Sequence, residues 1–134
     1  MGDSMRELLR REMECEALLE CMHGLRTLDN RCFWILVESD EPLLVDDLSE
    51  RVDRDRSTVY RAVQRLLEAG IVQQEQINYQ GGGYCHVYRA TDPDSIADGL
   101  QYLLNDWYAT ADRRIDEFRE TYASPIESKV APEN

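Results

Sequence analysis

The sequence predicts a mainly α-helical fold with a small β-hairpin, an α+β class, and three observations predict it. Apolar residues recur every three or four positions through most of the chain. Residues 71–90 instead form two β-rich runs around three glycines, and a long helical pattern follows them. Between residues 45 and 90 the order is short helix, polar turn, arginine-bearing helix and hairpin. That is the order of a winged helix-turn-helix.

Two helices are predicted ahead of this unit. Apolar residues at helical spacing predict the first over Ser4–His23, and Gly24 supplies its left-handed C-terminal stop. The run CFWILV is almost wholly apolar and predicts a buried second helix over Arg31–Glu38. Three polar residues ahead of it are N-cap candidates: Thr27, Asp29 and Asn30.

The helix-turn-helix itself is predicted to follow. Asp46 and Asp47 are expected as the cap and first-turn acids of a short helix over Leu48–Val52. Asp53–Arg56 is expected to form the turn, and Ser57–Ala69 the next helix.

That helix has two faces, which indicate two tasks. One face carries the apolar residues that a core needs, and the other carries polar donors in the half that would enter a DNA groove. Arg61 and Arg65 are expected to reach guanine edges or phosphates. Ser57 and Thr58 are expected to bond phosphates at the helix start. The full set expected from the turn and helix is Arg54, Arg56, Ser57, Thr58, Tyr60, Arg61, Gln64 and Arg65.

A β-hairpin is predicted from Ile71–Gln80 and Tyr84–Ala90, with a tip that admits close approach to another backbone. The tip glycines and one strand arginine complete the expected DNA-binding set: Gly81, Gly82, Gly83 and Arg89. Glutamine and asparagine replace basic residues near the tip. A hairpin without DNA contacts is the alternative.

Asp94–Tyr122 is predicted as one long helix whose apolar stripe exceeds what a small winged-helix core can cover. Pairing with a second copy of the chain is the economical solution, and packing against the first helix of the same chain is the alternative. The expected dimer contacts are Ile96, Leu100, Leu103, Trp107, Ala111, Ile115 and Phe118. The predicted organisation is an N-terminal helix (1–25), a winged helix-turn-helix domain (26–91), a dimerisation helix (92–122) and a disordered tail (123–134).

The chain is strongly acidic, and its cations are nearly all arginine. Fourteen arginines and one lysine face 27 carboxylates, which gives a net charge of −12 and an isoelectric point near 4.5. Carboxylates hold water and cations in molar salt, where charge repulsion is screened within a few ångströms. The composition indicates a halophilic host, and we expect monovalent cations at an interface with DNA. An ordinary acidic protein or an acidic partner-binding module is the alternative.

No catalytic or metal site is expected from the sequence. The spacing of Cys15, Cys21, His23 and Cys32 matches no usual zinc site, and the two histidines lie far apart, so neither an enzyme nor a cofactor is expected. Free thiols are the expected state of the cysteines. No apolar stretch is long enough for a membrane span or a secretory signal, which indicates a cytoplasmic protein.

The pattern DLSERV…RSTVYRAVQRLLEAGIV, with the hairpin and long helix that follow, resembles archaeal winged-helix regulators of the PadR and TrmB-like kind. Its acidic, lysine-poor surface makes it most similar, among these, to haloarchaeal regulators of the oxidative-stress response. The resemblance covers Arg31–Tyr122. It implies a homodimer on operator DNA, with Ser57–Ala69 in the major groove, the hairpin tip near a minor groove or phosphates, and the C-terminal helices at the dimer interface.

The leading hypothesis is therefore a sequence-specific transcription regulator that binds double-stranded DNA as a homodimer. The first rival is a winged helix that binds a protein, through the surface around Trp34 or the long helix. An enzyme is the weakest of the three. Four arginines gathered near one helix of so acidic a chain favour DNA.

Overall fold

The structure is a computed structural model that describes the backbone of Arg6 and residues 15–130, and the side chains of Arg6 and residues 17–123. Within that part, five helices and one hairpin follow in order: α1 Cys15–His23, α2 Thr27–Glu38, α3 Val45–Val52, α4 Arg56–Glu68, β1 Val72–Asn78, β2 Tyr84–Ala90 and α5 Pro93–Val130. The predicted fold class, mainly α with a small hairpin and a long last helix, is confirmed.

The chain divides into two units within α5, Met1–Ala97 and Asp98–Asn134. The core of the first unit is built from α2, α3, α4 and the base of the hairpin. Its fully enclosed residues include Cys32, Leu48, Val59, Ala62, Val63 and Leu66. Helix α4 supplies four of these because its apolar residues recur at spacings of three and four, which places them on one side. The opposite side of α4 is left for other contacts.

Helices α4 and α5 begin one residue earlier than the sequence predicts. Two other helices begin earlier still, α2 by four residues and α3 by three. In both, an acid in the first turn bonds the backbone N–H of the residue three positions before it. Asp29 accepts the N–H of Arg26 at 3.0 Å, and Asp47 accepts that of Leu44 at 2.9 Å. Each acid is therefore the third residue inside its helix, the place that the acid of a capping box takes.

Of the two outer helices, one ends where it was predicted to end and the other ends later. Helix α1 ends at His23 as predicted, whereas its predicted start at Ser4 lies outside the described residues. Helix α5 continues to Val130, beyond the predicted end at Tyr122, and residues 131–134 lie outside the described residues. No helix in the described part of the chain is long and apolar enough to cross a membrane.

The hairpin is tied to the helices at its base. Strands β1 and β2 pair antiparallel, with Val72 opposite Ala90 at the base. The segment ahead of α3 adds a short bridge, in which the N–H of Leu43 donates to the carbonyl of Tyr88 at 2.9 Å and the N–H of Tyr88 donates to the carbonyl of Leu43 at 2.8 Å. This bridge was not predicted. It fixes the hairpin beside the helix-turn-helix, where a wing belongs.

Candidate nucleic-acid interface

The turn between α3 and α4 carries the first arginine of the site. Asp53 ends α3 in the left-handed region, at φ 55°. The N–H of Arg54 then donates to the carbonyl of Ser49 at 3.2 Å, and the Ser49 hydroxyl donates to the carbonyl of Arg54. The backbone of Arg54 is thus held by α3 while its side chain is exposed to solvent.

Asp55 caps α4 and engages both hydroxyls that were expected to bond phosphates. Its Oδ2 accepts the Thr58 N–H at 3.1 Å and the Ser57 hydroxyl at 2.6 Å, and its Oδ1 accepts the Thr58 hydroxyl at 2.6 Å. These bonds, that from Ser57 first, hold the pKa of Asp55 well below its ordinary value. The carboxylate lies where a helix N-terminus would receive a phosphate. Ser57 and Thr58 must therefore change partners before they donate to DNA.

The arginines of the turn and of the first half of α4 divide into paired and unpaired side chains. Arg56 Nε donates to Asp46 Oδ1 at 2.8 Å, in an ion pair exposed to solvent on both sides. Arg61 Nη2 donates to the Thr58 hydroxyl at 3.5 Å. Among the described residues, neither Arg54 nor Arg61 has a carboxylate partner.

Arg65 forms an ion pair that the sequence did not predict. Its Nε donates to Asp29 Oδ2 and its Nη2 to Asp29 Oδ1, both at 2.8 Å. The Asp29 side chain is wholly buried, and that of Arg65 is 26% exposed. The hydrogen bond to Asp29 raises the pKa of Arg65. Two of its donors therefore hold α4 against α2, and a contact between Arg65 and DNA stays a prediction.

Tyr60 and Gln64 lie beside Arg61 on α4. Tyr60 is exposed and Gln64 is half-buried. Ser57 lies four residues before Arg61, and Gln64 lies three residues after Arg61, so the three side chains share a face of the helix. This face, from Ser57 to Gln64, is the part of α4 that is free to meet a groove.

The wing tip depends on two of its three glycines. Gly82 and Gly83 have φ values of 97° and 83°, where a side chain would be strained, and Gly81 does not. The Tyr79 N–H closes the tip by donating to the carbonyl of Gly83 at 3.1 Å. All three glycines are exposed. The tip therefore offers backbone, without charge, to a neighbouring molecule.

Other residues of the wing alter its expected charge and shape. Arg89 Nε donates to Glu75 Oε1 at 2.9 Å across the hairpin, which offsets the one arginine predicted there. Tyr79 and Tyr84 are exposed beside the tip, and Tyr84 packs edge-to-face on His86 at 5.3 Å. A role for these aromatic rings was not predicted from the sequence. The tyrosines on both sides of the glycine triplet were the available signal.

Helix α5 exposes the apolar stripe that was expected at a dimer interface. Trp107 is 52% and Phe118 66% exposed, and Phe118 stacks on Tyr122 with ring centroids 5.5 Å apart. The rest of the stripe is partly or largely exposed: Ile96, Leu100, Leu103, Ala111 and Ile115. Among the described residues, the stripe is therefore partly to largely exposed.

Among the described side chains, no group of three or more histidines, cysteines or acids is arranged to hold a metal ion. Of the cysteines described, Cys21 is exposed, Cys32 is buried and Cys85 is partly buried, and all three are free thiols. Burial, followed by the nearby charge of Asp29, raises the pKa of Cys32 to about 11.

Two helices joined by a tight turn, the second with an exposed polar face and an adjoining hairpin, define the winged-helix class of DNA-binding proteins. The family model described as sugar-specific transcriptional regulator TrmB matches residues 19–94, more than half of the chain. The chain belongs to this family of transcription regulators.

Similar proteins come from several archaea. An uncharacterized protein of Methanocaldococcus jannaschii is 34% identical over 105 residues, which cover 78% of this chain and 86% of that protein. The structure of a possible transcriptional regulator from Methanosarcina mazei is 29% identical with a TM-score of 0.70, covering 80% of this chain and 90% of that one. The ST1889 protein of Sulfolobus tokodaii, at 17% identity and a TM-score of 0.58 over 70% of this chain and 91% of that one, shares the fold.

The thiols should differ sharply in reactivity. At neutral pH the thiol of Cys32 stays protonated, since its thiolate forms only as the pH approaches about 11, and burial blocks a reagent. Cys21 is exposed. Iodoacetamide at pH 7.5, followed by peptide mapping, should label Cys21 in the folded protein and Cys32 only after denaturation. Equal labelling of both in the folded protein would contradict the burial of Cys32.

Proposed function

We propose that this protein is a sequence-specific transcription regulator that reads operator DNA as a homodimer through α4. One observation carries the proposal: within the described residues, Arg61 stands on the exposed face of α4 without a carboxylate partner. A guanidinium matches the two acceptors that guanine presents in the major groove. Tyr60 and Gln64 beside it supply further donors for the flanking base pairs.

The residues of the turn serve the DNA backbone in this proposal. Arg54 is exposed and faces phosphate without losing an ion pair. Arg56 exchanges Asp46 for a phosphate oxygen, which costs little because an exposed ion pair contributes only about 0–1 kcal/mol. Such contacts fix the position of the protein on the duplex and carry no sequence information.

The wing has a smaller share in the same interface. Its glycine tip and the hydroxyls of Tyr79 and Tyr84 approach the DNA backbone as uncharged groups. Arg89 adds charge only if it leaves Glu75. Neutral donors position a wing without adding to the salt dependence of binding.

The homodimer rests on α5. Its exposed stripe, with Trp107 and Phe118 at its centre and end, is too apolar to remain in water along a long helix. A second copy carries the same stripe, so a two-fold pair covers both at once. Two-fold symmetry of the protein then predicts inverted half-sites in the operator, one or two helical turns apart.

We further propose that the host is a halophilic archaeon and that the regulator acts in the oxidative-stress response. The acidic, lysine-poor composition supports a halophilic archaeon, and the relatives named above are archaeal. The resemblance to haloarchaeal regulators supports a role in the oxidative-stress response. If a described cysteine senses oxidant directly, exposure favours Cys21 over the buried Cys32.

Arg61→Ala should separate base reading from backbone binding. We expect a loss of roughly 1–3 kcal/mol on the preferred duplex and a relaxed base preference, because one bidentate contact is lost. Arg54→Ala is the matched control and should weaken binding to all sequences alike. Selection of duplexes from a random pool, followed by fluorescence anisotropy, measures both. Equal, sequence-blind losses would show that α4 meets only phosphates, and no binding by the wild type would favour a protein-binding module.

The dimer can be tested on opposite sides of α5. Light scattering in molar salt should give about twice the 15.6 kDa chain mass. Leu100→Glu or Trp107→Glu should reduce it towards the monomer, because each places a charge in the apolar stripe. Tyr102→Glu is the control, since Tyr102 is 73% exposed and lies two residues, about 200°, around the helix from Leu100. A wild-type monomer that binds DNA tightly would refute the dimer.

Affinity should remain flat or rise with potassium salt across the molar range. Two subunits of −12 each approach a polyanion. On the turn and α4, four arginines and Asp55 give a formal charge of +3 by sequence: Arg54, Arg56, Arg61 and Arg65. In the structure Asp46 offsets Arg56 and Asp29 offsets Arg65, which leaves Arg54 and Arg61 against Asp55. Carboxylates at the edge of this surface, such as Asp46 and Glu68, would face the DNA phosphates. Cations held between the two would be taken up on binding, which opposes the usual release of cations from DNA.

The slope of log affinity against log salt concentration measures this balance. Asp46→Asn with Glu68→Gln should restore a falling slope, because the carboxylates that hold the cations are gone. Asp116→Asn, which removes an acid from an exposed ion pair on α5, is the control and should leave the slope unchanged. A wild-type slope as negative as that of a basic repressor would refute cation uptake.

A further inference from the structure

One ion pair joins the far half of α4 to the start of α2. Arg65 and Asp29 are separated by 36 residues in the chain and share two hydrogen bonds of 2.8 Å. Paired parallel bonds between a guanidinium and a carboxylate fix orientation as well as distance. Asp29 is itself held by α2, because its Oδ2 also accepts the N–H of Arg26. Arg65 is therefore attached to a rigid point.

The pair also determines what Arg61 presents to solvent. Arg61 and Arg65 are four residues apart on α4 and lie on neighbouring parts of one face. With Arg65 directed at α2, the rotation of α4 about its axis is set, and Arg61 is exposed one turn nearer the helix start. The same pair removes the charge of Arg65 from the surface that would meet phosphates.

We propose that Asp29 and Arg65 are positioning residues that determine base specificity, by setting the rotation of α4 and by withholding the Arg65 charge from DNA. The proposal rests on the DNA-binding function proposed above. Without the pair, Arg61 samples several orientations and reads its base less sharply. If Asp29 alone is lost, Arg65 is released as an additional phosphate contact for any sequence.

A purely stabilising role has a different signature. If the pair only stabilises the fold, its loss reduces the folded fraction, and the affinities for all duplexes fall by the same factor. The ratio of affinities for the preferred duplex and a scrambled duplex then stays constant. A positioning role changes that ratio. The ratio is thus a readout that stability alone does not move.

The experiment compares five full-length variants with the wild type by fluorescence anisotropy in molar potassium chloride. The probes are a duplex selected by the wild type from a random pool and a scrambled duplex of equal length. The variants are Arg65→Met, Arg65→Lys, Asp29→Asn, the double variant Asp29→Asn with Arg65→Met, and Arg31→Met. Arg31→Met is the matched control, because Arg31 is an exposed arginine of α2 without an ion pair among the described residues.

We expect Arg65→Met to lower the affinity ratio about tenfold, mainly through the preferred duplex, and Arg65→Lys to recover only part of it because lysine cannot form the paired bonds. Asp29→Asn should lower the ratio by strengthening binding to the scrambled duplex. The double variant leaves no uncompensated buried charge, so it remains folded if a single variant does not, and it should show a lowered ratio without stronger binding to the scrambled duplex. Arg31→Met should keep the wild-type ratio.

Three results would overturn the proposal. A ratio within twofold of wild type in Arg65→Met, Asp29→Asn and the double variant would leave the pair with a stabilising role only. Equal losses on both duplexes in Arg65→Met, with no change in Asp29→Asn, would instead place Arg65 on phosphate. If the wild type selects no sequence from the pool, the proposed function is refuted as well. This result can be distinguished from the first two because the wild type itself then shows no base preference.

Discussion

The ion pair between Arg65 and Asp29 is the constraint on which the orientation of α4 depends. Apolar packing along Val59, Val63 and Leu66 holds α4 in the core, but a smooth apolar stripe tolerates small rotations. The buried carboxylate of Asp29 does not tolerate such rotations, because they would separate it from Arg65 and an unpaired buried charge is costly. The ion pair therefore selects one rotation among those that packing permits, and the direction of every polar side chain on the exposed face follows from it.

The remaining charges of the site follow a related pattern. Asp46 engages Arg56, Glu75 engages Arg89, and both pairs lie in solvent. Since these pairs offset two arginines and Asp55 lies beside Arg54, the face proposed to meet DNA keeps only a small positive charge, from Arg54 and Arg61. Long-range attraction to a polyanion is then weak, and short-range hydrogen bonds and shape must supply more of the affinity. A binding surface of this kind favours specificity over general attraction to nucleic acid.

Sequence patterns predicted the parts of this structure that depend on neighbours in the chain. Helical spacing located all five described helices, and the glycine triplet located the wing. Two helix starts were misplaced because Asp29 and Asp47 were interpreted as residues at the boundary, whereas each bonds backwards from inside the helix. The partner of Arg65 was beyond local reasoning, since it lies 36 residues away. A polar residue on a helix does not by itself reveal whether its partner is DNA or protein.

The spacing along α5 bears on how two copies would pair. Ile96, Trp107 and Phe118 are separated by eleven residues, as are Leu100, Ala111 and Tyr122. An eleven-residue repeat corresponds to about 3.67 residues per turn, slightly more than the 3.6 of a straight helix, whereas a heptad gives 3.5. The stripe therefore drifts slowly in the direction opposite to that of a left-handed coiled coil. The 38 residues of α5 rise about 57 Å. Over that length, two such helices would stay in contact along their stripes if they wound around each other with a slight right-handed twist.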